Sequence, residues 1–153
     1  MAEIDQFDTA ILRELQRNNR ITSETLAENV GLSATACQRR VKRLRQTGVI
    51  RADIAVVSPD AVSKRVTFIV EIVLERGRAD IIDDFKRAVQ AIPEVQQCYY
   101  VTGKSDFVLI MTAGDMEEYE RLTRRIFFAN PNIQHFTTIV VMDSVKIGLE
   151  VPL

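Results

Sequence analysis

The sequence predicts an α+β fold in two parts, in which three short helices are followed by a βαββαβ unit. In the first part, apolar residues recur every three or four positions, and each stretch begins after a residue that can cap a helix. In the second part, β-branched apolar runs alternate with two amphipathic stretches. A chain of 153 residues with 46% hydrophobic content can supply a core for each part. We therefore expect domains at residues 1–50 and 65–153, joined by a linker and wing at residues 51–64.

The first part has the layout of a helix-turn-helix. The first helix is expected over residues 5–17, and the second begins at the cap Thr22. Gly31 ends the second helix where a left-handed residue is favoured, and the third helix covers residues 33–46, with a stop at Gly48. Two helices joined by a tight glycine turn, the second of them basic, are typical of this DNA-binding motif.

The second part has the element order of a ferredoxin-like domain. Two short extended stretches, residues 49–51 and 54–57, come first and predict the wing. The strands and helices that follow, in chain order, are expected at residues 66–74, 80–92, 95–102, 107–112, 115–129 and 134–145. The order βαββαβ gives a four-stranded antiparallel sheet with two helices.

The third helix carries an uninterrupted run of positive charge. Six basic residues and no acidic residue lie between Gly31 and Ala52, whereas a solvated surface helix normally mixes both signs. We interpret the run as a contact surface for double-stranded DNA, and RNA is less favoured because the run holds no aromatic residue for base stacking. The candidates for base edges or nearby phosphates are Thr35, Gln38, Arg39 and Lys42, and those for the DNA backbone are Ser33, Arg43 and Arg51.

The distribution of charge supports this interpretation. Residues 1–52 carry a net charge of +3 and residues 53–153 a net charge of −4, although the whole chain is nearly neutral at −1. A basic part beside an acidic part indicates a polyanion-binding module joined to a module that avoids polyanions.

Other features favour a cytoplasmic protein without a metal or membrane site. Cys37 and Cys98 lack metal-ligand spacing and are expected to be reduced thiols. The acidic start (Glu3, Asp5, Asp8) does not resemble a signal peptide, and no apolar run has transmembrane length.

The strands of the second part are apolar on both faces. Residues 66–70, 107–111 and 139–142 lack the alternation expected where one face of an antiparallel sheet meets water. Two helices can cover only one face of this sheet. A second copy of the chain would bury the other face without any further element of structure. We therefore expect a homodimer formed through the C-terminal sheet.

The loop at residues 102–106 admits two interpretations. It joins two strands, and a hairpin with a positive φ at Gly103 is the simpler one. Its glycine amide, hydroxyl, lysine and carboxylate could also hold a zwitterion.

The single histidine, His135, favours neither a catalyst nor a metal site, and the sequence holds no paired acid and base, nucleophile motif or phosphate-binding loop. We expect no enzyme activity and no cofactor.

Taken together, the residues resemble the Lrp/AsnC family of prokaryotic transcription regulators over essentially the whole chain. No single motif carries the resemblance, but the order and spacing of several are specific in combination. They are residues 7–12, 26–33, 37–44, 48–50, 94–98, 102–109, 139–142 and 145–146.

The resemblance implies a winged helix-turn-helix joined by a β-linker to an amino-acid-sensing βαββαβ domain. Such proteins form dimers through that domain, and the dimers often assemble into octamers that wrap or bridge DNA. In relatives the effector lies between dimers near a Gly-x-x-Asp turn, which here is Gly103 and Asp106. The implied effector-binding residues are Thr102, Gly103, Lys104, Asp106, Gln134, Thr137 and Thr138.

Three alternatives to an effector-controlled, sequence-specific regulator remain. The first is an architectural DNA-binding protein that responds to no ligand. The second is an enzyme, because haem-precursor decarboxylases resemble this family; those rely on histidines of the C-terminal domain, where this chain has only His135. The third is a regulatory subunit that binds a small molecule and docks on an enzyme.

Overall fold

The computed structural model describes residues 3–62, 65–75 and 79–153, which form two compact units. Unit 1 contains the chain up to Val56 together with Ile147–Leu153, and unit 2 is Val57–Lys146. The division falls inside the expected linker. The chain thus leaves unit 1, forms unit 2 and returns to unit 1.

Unit 1 is built on the three predicted helices, α1 (Gln6–Arg17), α2 (Ser23–Val30) and α3 (Ala34–Gln46). Each begins where the sequence predicts, because the side chains of Asp5, Thr22 and Ser33 accept hydrogen bonds from the backbone of the first turn. Gly31 ends α2 in the left-handed conformation with φ 73°. The turn between α2 and α3 is therefore the one that the helix-turn-helix pattern predicts.

Asp8 lies fully buried in the first turn of α1, and its carboxylate joins α1 to α3. Its Oδ1 accepts a hydrogen bond from Nη1 of Arg40 at 2.9 Å, and its Oδ2 is paired with Nη2 of Arg43. The same nitrogen of Arg40 donates to Oδ2 of Asp5 at 2.8 Å. A buried carboxylate is tolerated only where its charge is paired and hydrogen-bonded. These contacts therefore fix which side of α3 faces α1.

The two short extended stretches expected as a wing, residues 49–51 and 54–57, are not strands in the described structure. Residues 51–58 are exposed and form no strand, and they have no strand partner among the described residues. The extended, apolar pattern of this segment was identified, but a strand also needs a neighbour for its backbone groups. A four-residue helix, α4 (Pro59–Val62), follows it.

Unit 2 has the predicted βαββαβ order after α4. Its elements are β1 (Val66–Leu74), α5 (Ala79–Gln90), β2 (Val95–Tyr100), β3 (Phe107–Ala113), α6 (Met116–Thr123) with a π-helical turn at Arg124–Phe128, and β4 (Ile133–Val140). The described strands form an antiparallel sheet in the order β2-β3-β1-β4, which is the ferredoxin-like topology.

The last strand is shorter than predicted, and the reason is its partner. β4 pairs with β1 as far as Val140, which lies opposite Phe68, and the Val141 N–H still donates to Thr67 O at 3.0 Å. β1 begins at Val66, so it has no strand residues with which residues 142–145 could pair. Apolar alternation alone does not show where the neighbouring strand ends.

One face of the sheet packs on α5 and α6, and the other is open. The covered face includes Phe68 and Leu109, which are fully buried in a core with Phe85 of α5 and Leu122 of α6. The open face carries the intervening residues. Among them, Ile69, Val108 and Ile110 are half-buried, and Ile139 is 45% exposed. The open face thus carries an apolar cluster in the single chain, as the strand composition predicts.

We expect Asp8→Ala to lower the free energy of unfolding of the helical unit by about 2–4 kcal/mol, because a buried carboxylate is removed from between two guanidinium groups. Urea denaturation followed by far-ultraviolet circular dichroism measures this loss. Asp53→Ala is the control, since it removes only the exposed 2.9 Å pair with Arg45 and should cost less than about 1 kcal/mol. Equal losses in the two variants would contradict the role given to Asp8.

Candidate nucleic-acid interface and ligand site

The inner side of α3 is an apolar stripe. Cys37, Val41 and Leu44 are buried against α1 and α2, together with Ile11 and Leu26. Burial raises the pKa of the Cys37 thiol, so the side chain stays protonated and acts as a small apolar residue. The stripe leaves the opposite side of the helix for solvent.

The outer side of α3 presents the predicted DNA-contacting side chains. Thr35, Arg39 and Lys42 are exposed and lie three or four residues apart, which places them on one face. Arg39 and Lys42 have no carboxylate partner among the described residues, and the same holds for the exposed Arg51 beyond the helix. These three cations are therefore available to neutralise phosphate groups or to reach base edges.

Three members of the basic run are paired with carboxylates from outside the run. Arg40 and Arg43 bind Asp8, as described above, and Arg45 Nε pairs with Oδ2 of Asp53 at 2.9 Å. Arg43, one of the DNA-backbone candidates, is thus held by a carboxylate 35 residues away in the sequence, although 45% of its side chain stays exposed. Charge counts along a sequence do not reveal partners that folding supplies.

Two further DNA candidates also make contacts within unit 1. Gln38 Nε2 donates to Ser23 Oγ at 3.1 Å, which links α3 to the first turn of α2. Ser33 Oγ accepts from the Ala36 N–H at 3.2 Å as the cap of α3. Both side chains remain exposed and retain capacity for a further hydrogen bond.

Asp5 and Arg40, which form an ion pair at the start of α1, each have a pKa that is shifted toward the charged form. The Asp8 N–H and the Arg40 guanidinium together hold the pKa of the Asp5 carboxyl below its ordinary value. The Asp8 and Asp5 carboxylates in turn raise the pKa of Arg40. The ion pair between Asp5 and Arg40 is therefore retained near neutral pH.

The loop between β2 and β3 is a hairpin with Gly103 at φ 130°, as the simpler interpretation predicts. Thr102, Gly103 and Lys104 are exposed at its tip. Asp106 has a structural contact, because its Oδ2 accepts a hydrogen bond from the Leu74 N–H at 2.8 Å. Oδ2 of the carboxylate is thus bound to the backbone at the end of β1, and no hydrogen bond of Oδ1 is seen among the described residues.

Gln134 lies at the same end of the sheet as this loop. Val73 pairs with His135 and Leu74 with Ile133, so Gln134 is the extra residue of a β-bulge, and it is exposed. Bulges commonly redirect a side chain next to a binding site. The loop, the end of β1 and this bulge are therefore the part of unit 2 where predicted effector residues come together.

Thr137 and Thr138 do not share a face. Thr138 Oγ1 and the hydroxyl of Tyr119 are 2.5 Å apart on the helix side, where burial raises the pKa of Tyr119. Thr137 lies opposite Glu71 on the open face. Because they lie on opposite faces, at most one of the two threonines can face a given ligand. Both are also farther along β4 than Gln134.

A cavity of about 340 Å³ lies elsewhere in unit 2, between α5 and β2. It is lined by Lys86, Val89, Gln90, Val95, Gln96, Gln97 and Cys98. None of the predicted effector residues lines it.

Among the described residues, no helix is long and apolar enough to cross a membrane, and no group of histidine, cysteine, aspartate and glutamate side chains could hold a metal ion.

Sequence reasoning missed Asp8 as the residue that positions α3. A signal was present, because Asp5 and Asp8 have the spacing of a capping box, and Asp8 falls on the same helical stripe as Ile11 and Leu12. A carboxylate on an apolar stripe indicates a buried charge that needs a partner.

Comparisons with known proteins agree with this architecture. The family model of the AsnC-type helix-turn-helix domain matches residues 4–45, and that of the Lrp/AsnC ligand binding domain matches residues 67–151. An uncharacterised HTH-type transcriptional regulator of Sinorhizobium fredii is 58% identical over 99% of this chain and 89% of its own length. The leucine-responsive regulatory protein of Haemophilus influenzae is 41% identical over 94% of this chain and 86% of its own length.

Solved structures extend the similarity to three dimensions. An AsnC family regulator from Agrobacterium tumefaciens has a TM-score of 0.88 at 30% identity, covering 97% of this chain and 96% of its own. A transcriptional regulator from Neisseria meningitidis, solved as a complex with L-methionine, has a TM-score of 0.88 at 29% identity and covers 98% and 97%. With both domain models matched in order along its length, the chain belongs to the Lrp/AsnC family of transcription regulators.

Proposed function

We propose that this chain is a sequence-specific regulator that binds double-stranded DNA through α3 and whose assembly or DNA binding responds to an amino acid. The observation that carries the proposal is the outer face of α3. There, Arg39 and Lys42 have no carboxylate partner in the described structure, whereas the neighbouring arginines are neutralised within unit 1. Exposed, unneutralised cations on a helix of this size suit the DNA major groove.

The contacts divide by role. Thr35, Arg39 and Lys42 lie on the exposed face of α3, with Gln38 beside them. Thr35 and Arg39 can reach base edges, and Lys42 can reach a nearby phosphate. Ser33 and Arg51 lie at or beyond the two ends of the helix, where the sugar-phosphate backbone passes a helix seated in the groove. Arg43 reaches phosphate only with the part of its guanidinium that Asp8 leaves exposed.

The effector site is proposed at the end of the sheet that holds the hairpin loop and the bulge. Thr102, Gly103, Lys104 and one oxygen of Asp106 would meet the charged groups of an amino acid, and Gln134 would bind from β4. L-Methionine complexes of two structural neighbours, from Neisseria meningitidis and Mycobacterium tuberculosis, support the class of ligand. Thr137 and Thr138 contribute less, since they lie farther along the strand and on opposite faces.

The open face of the sheet supports a homodimer, and dimers would join into a larger ring such as an octamer. A dimer presents two copies of α3 to adjacent half-sites, which supplies the sequence selectivity that one short helix lacks. The effector would act by linkage, because a ligand that binds one assembly better than another shifts the population that holds DNA. An architectural protein that ignores amino acids is the alternative.

We expect Arg39→Ala to weaken binding to a short duplex, selected from a random pool by the unmodified protein, by about 1–3 kcal/mol. Lys42→Ala should weaken binding to all sequences and lower the salt slope by about one ion. Fluorescence anisotropy over a range of salt concentrations measures both effects. Arg45→Ala is matched in helix and charge, but its charge is already balanced by Asp53, so its affinity should stay within roughly threefold. A loss in Arg45→Ala equal to that in Arg39→Ala would refute the assigned face.

We expect at least one of the twenty amino acids to raise the melting temperature, with a stabilisation of about 2.7 kcal/mol at a hundred times its dissociation constant. Gln134→Ala should remove this shift and leave the unliganded melting temperature unchanged, since its side chain is exposed at a bulge. Gln90→Ala is the matched control, because Gln90 lines the separate cavity. If only Gln90→Ala abolished the shift in melting temperature, the effector site would lie in that cavity. If no amino acid raised the melting temperature, the architectural alternative would be favoured.

We expect Ile139→Asp to shift the protein from a dimer or larger assembly toward monomer at micromolar concentration, because the new charge would be buried in the sheet-to-sheet interface. Analytical ultracentrifugation measures the change. Met116→Asp places the same charge on an exposed residue at the start of α6 and should leave the assembly intact. A monomeric unmodified protein, or an intact Ile139→Asp assembly, would rule out the sheet as the interface.

A further inference from the structure

The segment Ile147–Leu153, which we call the return segment, lies on α1 in unit 1. Gln16 makes a reciprocal pair of hydrogen bonds with one residue of it. The Gln16 Nε2 donates to Val151 O at 2.9 Å, and the Val151 N–H donates to Gln16 Oε1 at 2.7 Å. One helical turn earlier, Arg13 Nε donates to Leu153 O at 2.7 Å. Two side chains of α1 thus satisfy three backbone groups of the segment.

Exposure falls steadily along the apolar positions of the chain as it approaches α1. Val145 is 91% exposed, Ile147 80%, Leu149 68%, Val151 61% and Leu153 44%. The three hydrogen bonds to α1 are made at Val151 and Leu153, and the apolar residues nearer to unit 2 are more exposed. A cavity of about 180 Å³ lies beside the anchor, lined by Arg13, Gln16, Arg17, Glu150, Val151 and Leu153.

The anchoring side chains lie beside and opposite the buried stripe of α1. Asp8, Ile11 and Leu12 are the buried residues of α1. Helical periodicity places Arg13 on the opposite side, whereas Gln16 is one turn after Leu12, borders the stripe and is half-buried. Amide and guanidinium groups that bind backbone atoms recognise an extended chain, as a neighbouring strand would. The face is thus suited to a peptide segment and has one seated on it.

We propose that the outer face of α1 is a docking site for the return segment of the same chain. The segment gives the DNA-binding unit a second and reversible connection to unit 2, in addition to the linker. Gln16 is the main recognition residue, since it binds both backbone groups of Val151, and Arg13 binds the carbonyl of Leu153. Docking needs neither DNA nor an effector, so it stands apart from the proposed function.

Hydrogen exchange by NMR on the full chain tests the proposal. In the unmodified protein, the Val151 amide should exchange at least about tenfold more slowly than the amide of Leu149, because it donates to Gln16. Gln16→Ala should abolish this protection. The Ile11 amide, inside α1, should stay protected in the variant and report that the helix remains folded. An unprotected Val151 amide in the unmodified protein, or full protection in Gln16→Ala, would overturn the proposal.

A matched control and a cross-link complete the test. Gln6→Ala changes the same residue type at the opposite end of α1, about 15 Å away, and should leave the Val151 protection unchanged. In a Cys98→Ser background, Gln16→Cys with Val151→Cys should react with a short bismaleimide to give a single cross-linked chain. A covalent dimer would show that the segment docks on another copy and would overturn docking on its own chain.

Discussion

The arrangement of the DNA-binding unit depends on the buried carboxylate of Asp8. It sits in the first turn of α1 and is bound by two guanidinium groups from α3, so it fixes the rotation of α3 about its own axis. With that rotation fixed, Cys37, Val41 and Leu44 enter the core, and Arg39 and Lys42 face outward. Removing one partner from such a cluster leaves buried charge without compensation, which is why it strongly constrains the structure.

The cluster also divides the positive charge of α3 into two groups. The arginines that bind carboxylates set the position of the helix, and their charge is largely balanced before any ligand arrives. In the described structure, Arg39 and Lys42 have no carboxylate partner. Cations of this kind raise the affinity for DNA, because they neutralise phosphate groups and release the counterions of the DNA. A run that appears uniform in the sequence therefore performs two tasks, and the outward group alone is proposed to bind DNA.

Features set by nearby residues were predictable from the sequence, and those set by distant partners were not. The caps Asp5, Thr22 and Ser33 and the left-handed Gly31 act within one helical turn, so their spacing identified the helices. The pairing of Asp8 with Arg40, the end of β4 and the absence of a strand in the described residues 51–58 each depend on elements far away in the chain. For the candidate sites, the outward face of α3 followed from periodicity, whereas the structural contacts of Arg43 and Asp106 did not.

The free energy that holds the return segment on α1 is small enough for the docked and the undocked segment to exchange. Its three hydrogen bonds to α1 are all solvent-exposed, and a protein hydrogen bond contributes about 0.5–1.5 kcal/mol net. Docking is therefore expected to be worth only a few kcal/mol, comparable with the roughly 1–3 kcal/mol of typical coupling between sites. β4, which carries Gln134, leads along the chain into this segment, and α1 holds α3 through Asp8. A small change in the free energy of the docked or the undocked state therefore changes the fraction of chains in which the segment covers α1.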